Sequence, residues 1–216
     1  MTPASDISDL AKDFSTNFSG LATIAIAHRP RICPFGLILD AITPDDSVFD
    51  IGCGSGFLLL AALKLRQAGQ LVGVEVNSGL IEKARLATSA YDPDSQLSLQ
   101  SAVTLDDWPD RQFDVVTMID VVHHVPKPIQ TEFVEAALAR VRPGGKFVYK
   151  DMADSPFHLA WANRLHDLVL AKQWINYLPI ERLTEICEAN GFDLVEHSDV
   201  QTLWYGHEFR VFSKSA

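Results

Sequence analysis

Positive charge is scarce in this chain. Its 216 residues carry 18 lysines and arginines against 28 aspartates and glutamates, a formal net charge of -10. A surface of that sign repels phosphate backbones and anionic headgroups, so no nucleic-acid partner is expected. Long apolar runs are missing too. No stretch approaches the ~18 residues that a bilayer-spanning helix needs, so no membrane insertion is expected. Cysteine is limited to Cys33, Cys53 and Cys187, a number that cannot pair completely and a spacing that matches no zinc motif. A reduced, cytoplasmic setting is the expectation. The opening MTPASDISDLAKDF agrees with it, because it lacks the basic and then apolar pattern of a signal peptide. Internal repeats, low-complexity tracts and Pro/Gly/Ser-rich linkers are also absent, and the length favours one domain over residues 1–216. With 47% hydrophobic and 21% charged residues, the composition provides for one core and excludes a disordered, collagenous or coiled-coil chain.

What is present is an alternation of short β-branched runs and longer helical segments. Val48–Ile51 reads as a buried strand ending in a glycine cluster. Residues 57–68 read as a helix closed by Gly69. Leu71–Val76 is a second strand, followed by a helix from Ser78, a possible N-cap, to about Ala90. Leu97–Val103 is a weaker strand and Phe113–Ile119 a strong one. Ile129–Arg140 is helical, and Pro143-Gly144-Gly145 turns into the strand Lys146–Lys150. Residues 156–175 and 180–190 read as helices, and Phe192–His197 and Glu208–Ser213 as closing strands. Strands alternating with helices at this spacing predict βαβ units, hence a doubly wound α/β fold with a mainly parallel sheet covered on both faces. Only about ten residues, Ser198–His207, join the last two strands, too few for a parallel crossover, so that pair is expected to be antiparallel.

The stretch that carries chemistry is Asp50-Ile51-Gly52-Cys53-Gly54-Ser55-Gly56. Glycines let the chain turn sharply and let a ligand approach the backbone, and the following helix N-terminus favours an anionic group. Three details narrow the ligand. Asp50 sits where a pyrophosphate would be repelled. The spacing is GxGxG, whereas the dinucleotide fingerprint is GxGxxG. Glu75 ends the next strand, placed to accept hydrogen bonds from a ribose diol. A ligand with an amino acid and a ribose but no phosphate satisfies all three, and S-adenosylmethionine is one.

In sequence, VFDIGCGSGFLLLAAL followed by VGVEVN resembles the first two motifs of the class I S-adenosylmethionine-dependent methyltransferases. FDVVTMIDVVHHV is similar to the family's fourth-strand motif, and LARVRPGGKFVYKD to the segment leading into its fifth strand. The resemblance covers roughly residues 45–151. It implies a Rossmann-like seven-stranded sheet of order 3-2-1-4-5-7-6 with strand 7 antiparallel, and S-adenosyl-L-methionine as cofactor. It also implies that Asp50, Gly52, Cys53, Gly54 and Gly56 line the methionine end, that Glu75 holds the ribose hydroxyls, and that Val76 and Asn77 lie beside the adenosine. The family's acid after the third strand is replaced here by Ser101, with Ala102 following. Either the Ser101 hydroxyl contacts adenine, or Asp106 or Asp107 substitutes. Cys53 is read as packing rather than as a nucleophile.

Methyl transfer to a hydroxyl needs an aligned acceptor and a proton acceptor. Asp120, His123 and His124 follow the fourth strand, and Lys150 and Asp151 end the fifth. His123 or His124 is the expected base, the bland alternative being a hydrogen-bonded imidazole outside the chemistry. On a helical turn adjacent residues diverge by about 100°, so one of the two should reach a ligand. Asp120 is expected to contact the cofactor. No metal ligand set is evident, and the Asn/Asp-Pro-Pro-aromatic motif of amino-methylating nucleic-acid enzymes is absent. Outside the common core, residues 1–44 are expected to form a helical cap and 152–179 a substrate lid. His158, Trp161, Trp174 and Tyr177 in that lid would contact an aromatic or lipid-like small molecule. The oligomeric expectation is a monomer or homodimer. An NAD-binding oxidoreductase and a catalytically silent cofactor-binding subunit remain the alternatives.

Overall fold

The computed structural model of the chain describes residues 2–152, 176–202 and 205–216. The expected helix over 156–175 and the lid residues His158, Trp161 and Trp174 lie outside the described residues. Seven strands form one sheet in the order β3-β2-β1-β4-β5-β7-β6, the order that the resemblance implies. The chain resolves into two compact units, Met1–Val115 and Val116–Ala216.

The first unit begins with three helices, α1 (Ala4–Ser15), α2 (Leu21–Ile32) and α3 (Phe35–Asp40). Phe14 of α1 and Phe35 of α3 both meet Phe57 of α4 (Phe57–Arg66), with ring centroids 6.0 and 5.2 Å away. The predicted N-terminal helical segment is therefore fastened through aromatic packing to the helix after the glycine loop. Strands β1 (Val48–Ile51), β2 (Leu71–Glu75) and β3 (Leu97–Ser101) pair in parallel, with Ile51 opposite Val74 and Glu75 opposite Ser101. All four residues of β1 are buried, as expected for a parallel strand covered on both faces.

Strands β2 and β3 end earlier than the sequence reading had them, at Glu75 and Ser101 rather than Val76 and Val103, and two helix boundaries differ as well. Helix α4 ends at Arg66, closed by Gln67 in the left-handed region at φ 55°, not by Gly69. Gly69 is needed for a different reason: a Cβ there would lie 2.7 Å from the Asp45 carbonyl oxygen. Helix α5 (Ser78–Ser89) is capped by Asn77, whose side chain accepts the Leu80 N–H at 3.0 Å, so Ser78 is its first residue and not its cap. Either residue type suits an N-cap. The choice follows from where β2 ends.

In the second unit, β5 (Val141–Met152) pairs antiparallel with β7 (Tyr205–Lys214), which pairs antiparallel with β6 (Phe192–Thr202). The final antiparallel geometry is the expected one, but its form is corrected. Within that stretch, Ser198–Thr202 continues β6 and Tyr205–His207 belongs to β7, with Ser198 opposite Phe209 and Val200 opposite His207. β5 likewise starts earlier than Lys146, taking in Pro143-Gly144-Gly145 with Gly144 at φ 73°. Helix α6 (Gln130–Ala139) precedes β5, and α7 (Ile180–Ala189) buries Leu183, Ile186 and Cys187, spaced three and four residues apart along one face. β4 (Phe113–Ile119) matches its predicted bounds.

Candidate active site

In the first unit the glycine loop hangs on β2. Gly52 and Cys53 both donate their N–H to the Val74 carbonyl, at 2.8 and 3.0 Å. Gly52, Gly54 and Gly56 all have positive φ, at 73°, 54° and 77°, a conformation that glycine adopts without a Cβ penalty. They differ in surroundings. A Cβ on Gly56 would press Leu99 at 3.0 Å, whereas a Cβ on Gly54 would meet nothing within 4 Å. A Cβ is thus disfavoured at Gly56 by the Leu99 side chain, and the backbone at Gly54 faces open space into which a ligand can come close.

Glu75 joins this loop to the next. Its Oε2 accepts the Gly54 N–H at 3.2 Å, and its Oε1 accepts the Asn77 N–H at 3.1 Å. The side chain is half-buried at the end of β2 while Asp50 is fully buried at the end of β1. Between them lies Cys53, whose Sγ would sit 2.8 Å from a Cβ on Gly73. Burial, then the negative charges of Asp50 and Glu75, push the Cys53 thiol well above its ordinary range. Cys53 is thus a packed, protonated thiol in a negative field. A pyrophosphate would be repelled by that field, whereas a ligand with a cationic centre is favoured.

Beyond β3 the sequence left the adenine contact open among Ser101, Asp106 and Asp107. Asp107 is already engaged: its Oδ2 accepts the N–H of Val103 and of Thr104 and the Thr104 hydroxyl, at 2.9, 2.8 and 3.1 Å. These bonds lower its pKa, the Thr104 and Val103 backbone donors first, and together they cap the short 3-10 turn Leu105–Asp107. Ser101 is exposed, Ala102 is buried and donates its N–H to the Glu75 carbonyl at 3.0 Å. Val76 and Val103, at 66% and 74% exposure, leave apolar side chains uncovered beyond the ends of β2 and β3.

In the second unit the polar residues beyond β4 and β5 form two pairs. Lys150, 1% exposed, donates to Asp120 Oδ1 at 2.5 Å. Asp120 stands at φ 58° and donates its own N–H to the Lys150 carbonyl at 2.8 Å. The left-handed backbone costs of order 1–3 kcal/mol, and Lys150 holds it at both ends. Asp120, expected to contact the cofactor, is paired with Lys150 through its Oδ1.

The second pair is His123 and Asp151, both buried, joined between Nδ1 and Oδ1. His123 and His124 lie on the 3-10 turn Val122–His124. They separate as expected in burial, His124 being exposed, yet their rings rest against each other with centroids 4.0 Å apart. Three supports of this turn gave no sequence signal. Gln130, buried on α6, reaches the Val122 and Val125 carbonyls at 3.1 and 3.2 Å. Asn176 donates its N–H to the His123 carbonyl at 2.9 Å. Tyr149, inside β5, donates its hydroxyl to Asp151 at 3.4 Å. Tyr177 is half-buried one residue beyond Asn176.

Comparison with known proteins places this arrangement. A family model described as a methyltransferase domain matches residues 26–197. The chain belongs to this methyltransferase family. Its strand order and glycine-rich first turn are those of the class I, S-adenosylmethionine-dependent members. The chain is 32% identical over 133 residues to a ubiquinone biosynthesis O-methyltransferase of Albidiferax ferrireducens, covering 61% of this chain and 49% of that one. It is 40% identical over 97 residues to a ribosomal protein L11 methyltransferase of Methylobacillus flagellatus, covering 45% and 31%. The chain thus spans about a third to a half of the length of these curated relatives. In fold it is similar to the magnesium protoporphyrin IX methyltransferase of Synechocystis with bound S-adenosylhomocysteine, at a TM-score of 0.71 and 14% identity over 99% of this chain and 100% of that one.

Proposed function

We propose that this methyltransferase domain transfers the methyl group of S-adenosylmethionine to a hydroxyl of a small aromatic or lipid-like molecule. The observation that carries the cofactor reading is the Glu75 carboxylate, held by the Gly54 and Asn77 amides beside a Gly54 backbone that faces open space. When bound, the cofactor supplies a methyl group already activated by a sulfonium. The chain then has to hold, orient and deprotonate. Asp50, Gly52, Cys53, Gly54 and Gly56 serve the amino-acid end, where the two carboxylates suit a cationic ligand. Glu75 serves the ribose. Val76, Ser101 and Ala102 serve the adenine, Ser101 rather than the already engaged Asp107 offering the polar contact. His123 is the base, and Tyr177 together with His158, Trp161 and Trp174 contacts the acceptor.

Support for a hydroxyl acceptor comes from the ubiquinone biosynthesis O-methyltransferase similarity. The L11 methyltransferase similarity is higher in identity but shorter, and it motivates one protein substrate in the test. The decisive measurement is transfer of labelled methyl from S-adenosylmethionine to a panel of phenols and hydroquinones, with amines, carboxylic acids and ribosomal protein L11 alongside. Label appearing in a phenolic product supports the reading. Transfer to the protein alone overturns the acceptor class, and cofactor binding without any transfer favours the silent subunit. Binding of NADH in place of the cofactor overturns the whole reading.

A further inference from the structure

We infer that Asp151, backed by Tyr149, is a positioning residue that fixes which nitrogen of His123 is basic. The inference rests on the proposed function, in which His123 takes the acceptor's proton. Four donors converge on the Asp151 carboxylate. They are His123 Nδ1, the His123 backbone N–H at 3.3 Å, the Met152 N–H at 2.8 Å and the Tyr149 hydroxyl at 3.4 Å. With the carboxylate aimed in this way, the neutral imidazole carries its proton on Nδ1, and the basic lone pair is on Nε2. Tyr149 is fully buried, and burial followed by the charges of Asp151 and Glu208 raises its pKa well above the ordinary value. Its phenol remains a donor throughout the working pH range.

The carboxylate does a second task. When the acceptor hydroxyl is methylated, its oxygen forms the new O–C bond as the methyl's bond to sulfur breaks and the sulfur keeps that electron pair. The hydroxyl proton passes to Nε2, which leaves an imidazolium with a proton on each nitrogen. Nε2 later returns its proton to water. In a buried setting that cation needs an adjacent anion, and Asp151 provides it. Other charged and titratable groups stand near the pair, the buried His207 opposite Met152 among them. Lys150 is held by Asp120, His124 lies against the His123 ring, and Glu208 stands opposite Asp151 in the β5–β7 register.

Two variants test this in the full chain. Asp151→Asn removes the charge and keeps the size, whereas Tyr149→Phe removes only the donor behind the carboxylate and is the milder probe of folding. The first readout is nitrogen NMR of the imidazoles in the free protein, with His123 assigned from the His123→Gln spectrum. Wild type should show a single tautomer protonated on Nδ1. Asp151→Asn should show mixed tautomers and a lower imidazolium pKa, and Tyr149→Phe a smaller shift in the same direction. In turnover, Asp151→Asn should lower kcat by ~10²–10⁴-fold. It should also move the acid limb of the rate profile to lower pH and leave affinity for S-adenosylhomocysteine within a few-fold. An unchanged tautomer and an unchanged pH profile in Asp151→Asn would overturn the inference. So would a loss of turnover matched by an equal loss of cofactor affinity, which marks a structural carboxylate. Failure of wild type to bind S-adenosylhomocysteine by calorimetry defeats the proposed function instead, and the tautomer readout still decides the role of Asp151.

Discussion

At Gly54 a Cβ would meet nothing within 4 Å, so its substitution to alanine adds no close packing contact. Positive φ adds backbone strain, which is why Gly54→Ala and Gly54→Val are compared. Both carry the strain, and only the larger side chain fills the space. Gly54→Val should lower S-adenosylhomocysteine affinity well beyond Gly54→Ala. Glu75→Ala removes a charge-assisted acceptor and should cost ~1.5–3 kcal/mol of binding, or roughly 10–150-fold in Kd. Calorimetry checks both. The cysteines give a prediction of opposite kind. Burial raises the Cys187 thiol to about 12 and the Cys53 thiol further, so at pH 8 both remain protonated and inert. An Ellman titration of the native protein should find no fast-reacting thiol, and the unfolded chain should show all three. The sign for stability follows. The unfolded thiols ionise near ~8.5 and the folded ones far above it, so stability is constant below that pH. It then falls by ~1.4 kcal/mol per pH unit for each such group as pH rises beyond it. A urea series from pH 7 to 10 measures the fall.

For helix α5, Asn77 and Ser78 are neighbours of equal capping propensity, and only one accepts the Leu80 N–H. Asn77→Ala should cost about 1 kcal/mol in urea unfolding, whereas Ser78→Ala should stay within ~0.5 kcal/mol of wild type. This pair also shows what could be read from the chain. Periodicity located β1, β2 and β4 and the helices between them, because burial on both faces leaves an apolar run in the sequence. Termini were less legible, since Gln67 closes α4 by adopting a left-handed backbone that no composition rule assigns to glutamine. The long β6–β7 hairpin was half visible. Its outer half, Ser198–Thr202 against Tyr205–Phe209, mixes polar and aromatic residues and lacks clean alternation. Within the proposed site, Asp50, the glycines and Glu75 were legible because a glycine-rich strand-to-helix turn with acids at two neighbouring strand ends is a local pattern in the chain. The His123–Asp151 pair was not, although both residues were named, because its members are 28 positions apart. Gln130 was unreadable, since one glutamine on a helix is indistinguishable from a solvated one until its carbonyl partners are placed.

Taken as a whole, the molecule carries a net charge of -10 and two carboxylates at its glycine loop, and both features select among nucleotide-like ligands. A dinucleotide would bring two phosphates to the glycine loop beside the buried Asp50. S-adenosylhomocysteine brings an ammonium group and no phosphate. Binding to the folded chain stabilises it by RT ln(1 + [L]/Kd), or ~2.7 kcal/mol at a hundredfold excess over Kd. For a protein of this length, 1 kcal/mol moves the midpoint by about 2–4 °C. S-adenosylhomocysteine at that excess should therefore raise the Tm by roughly 5–11 °C, and NADH at the same concentration should leave it unchanged. The shift should vanish in Gly54→Val and shrink in Glu75→Ala. It should persist in Asp151→Asn, whose partners lie on His123, Tyr149 and Met152 rather than on the glycine loop. An equal rise with NADH would contradict the charge argument, because the repulsion that excludes a pyrophosphate acts before any difference in hydrogen bonding can contribute. A loss of the shift in Asp151→Asn would mean that this carboxylate supports cofactor binding as well as the histidine.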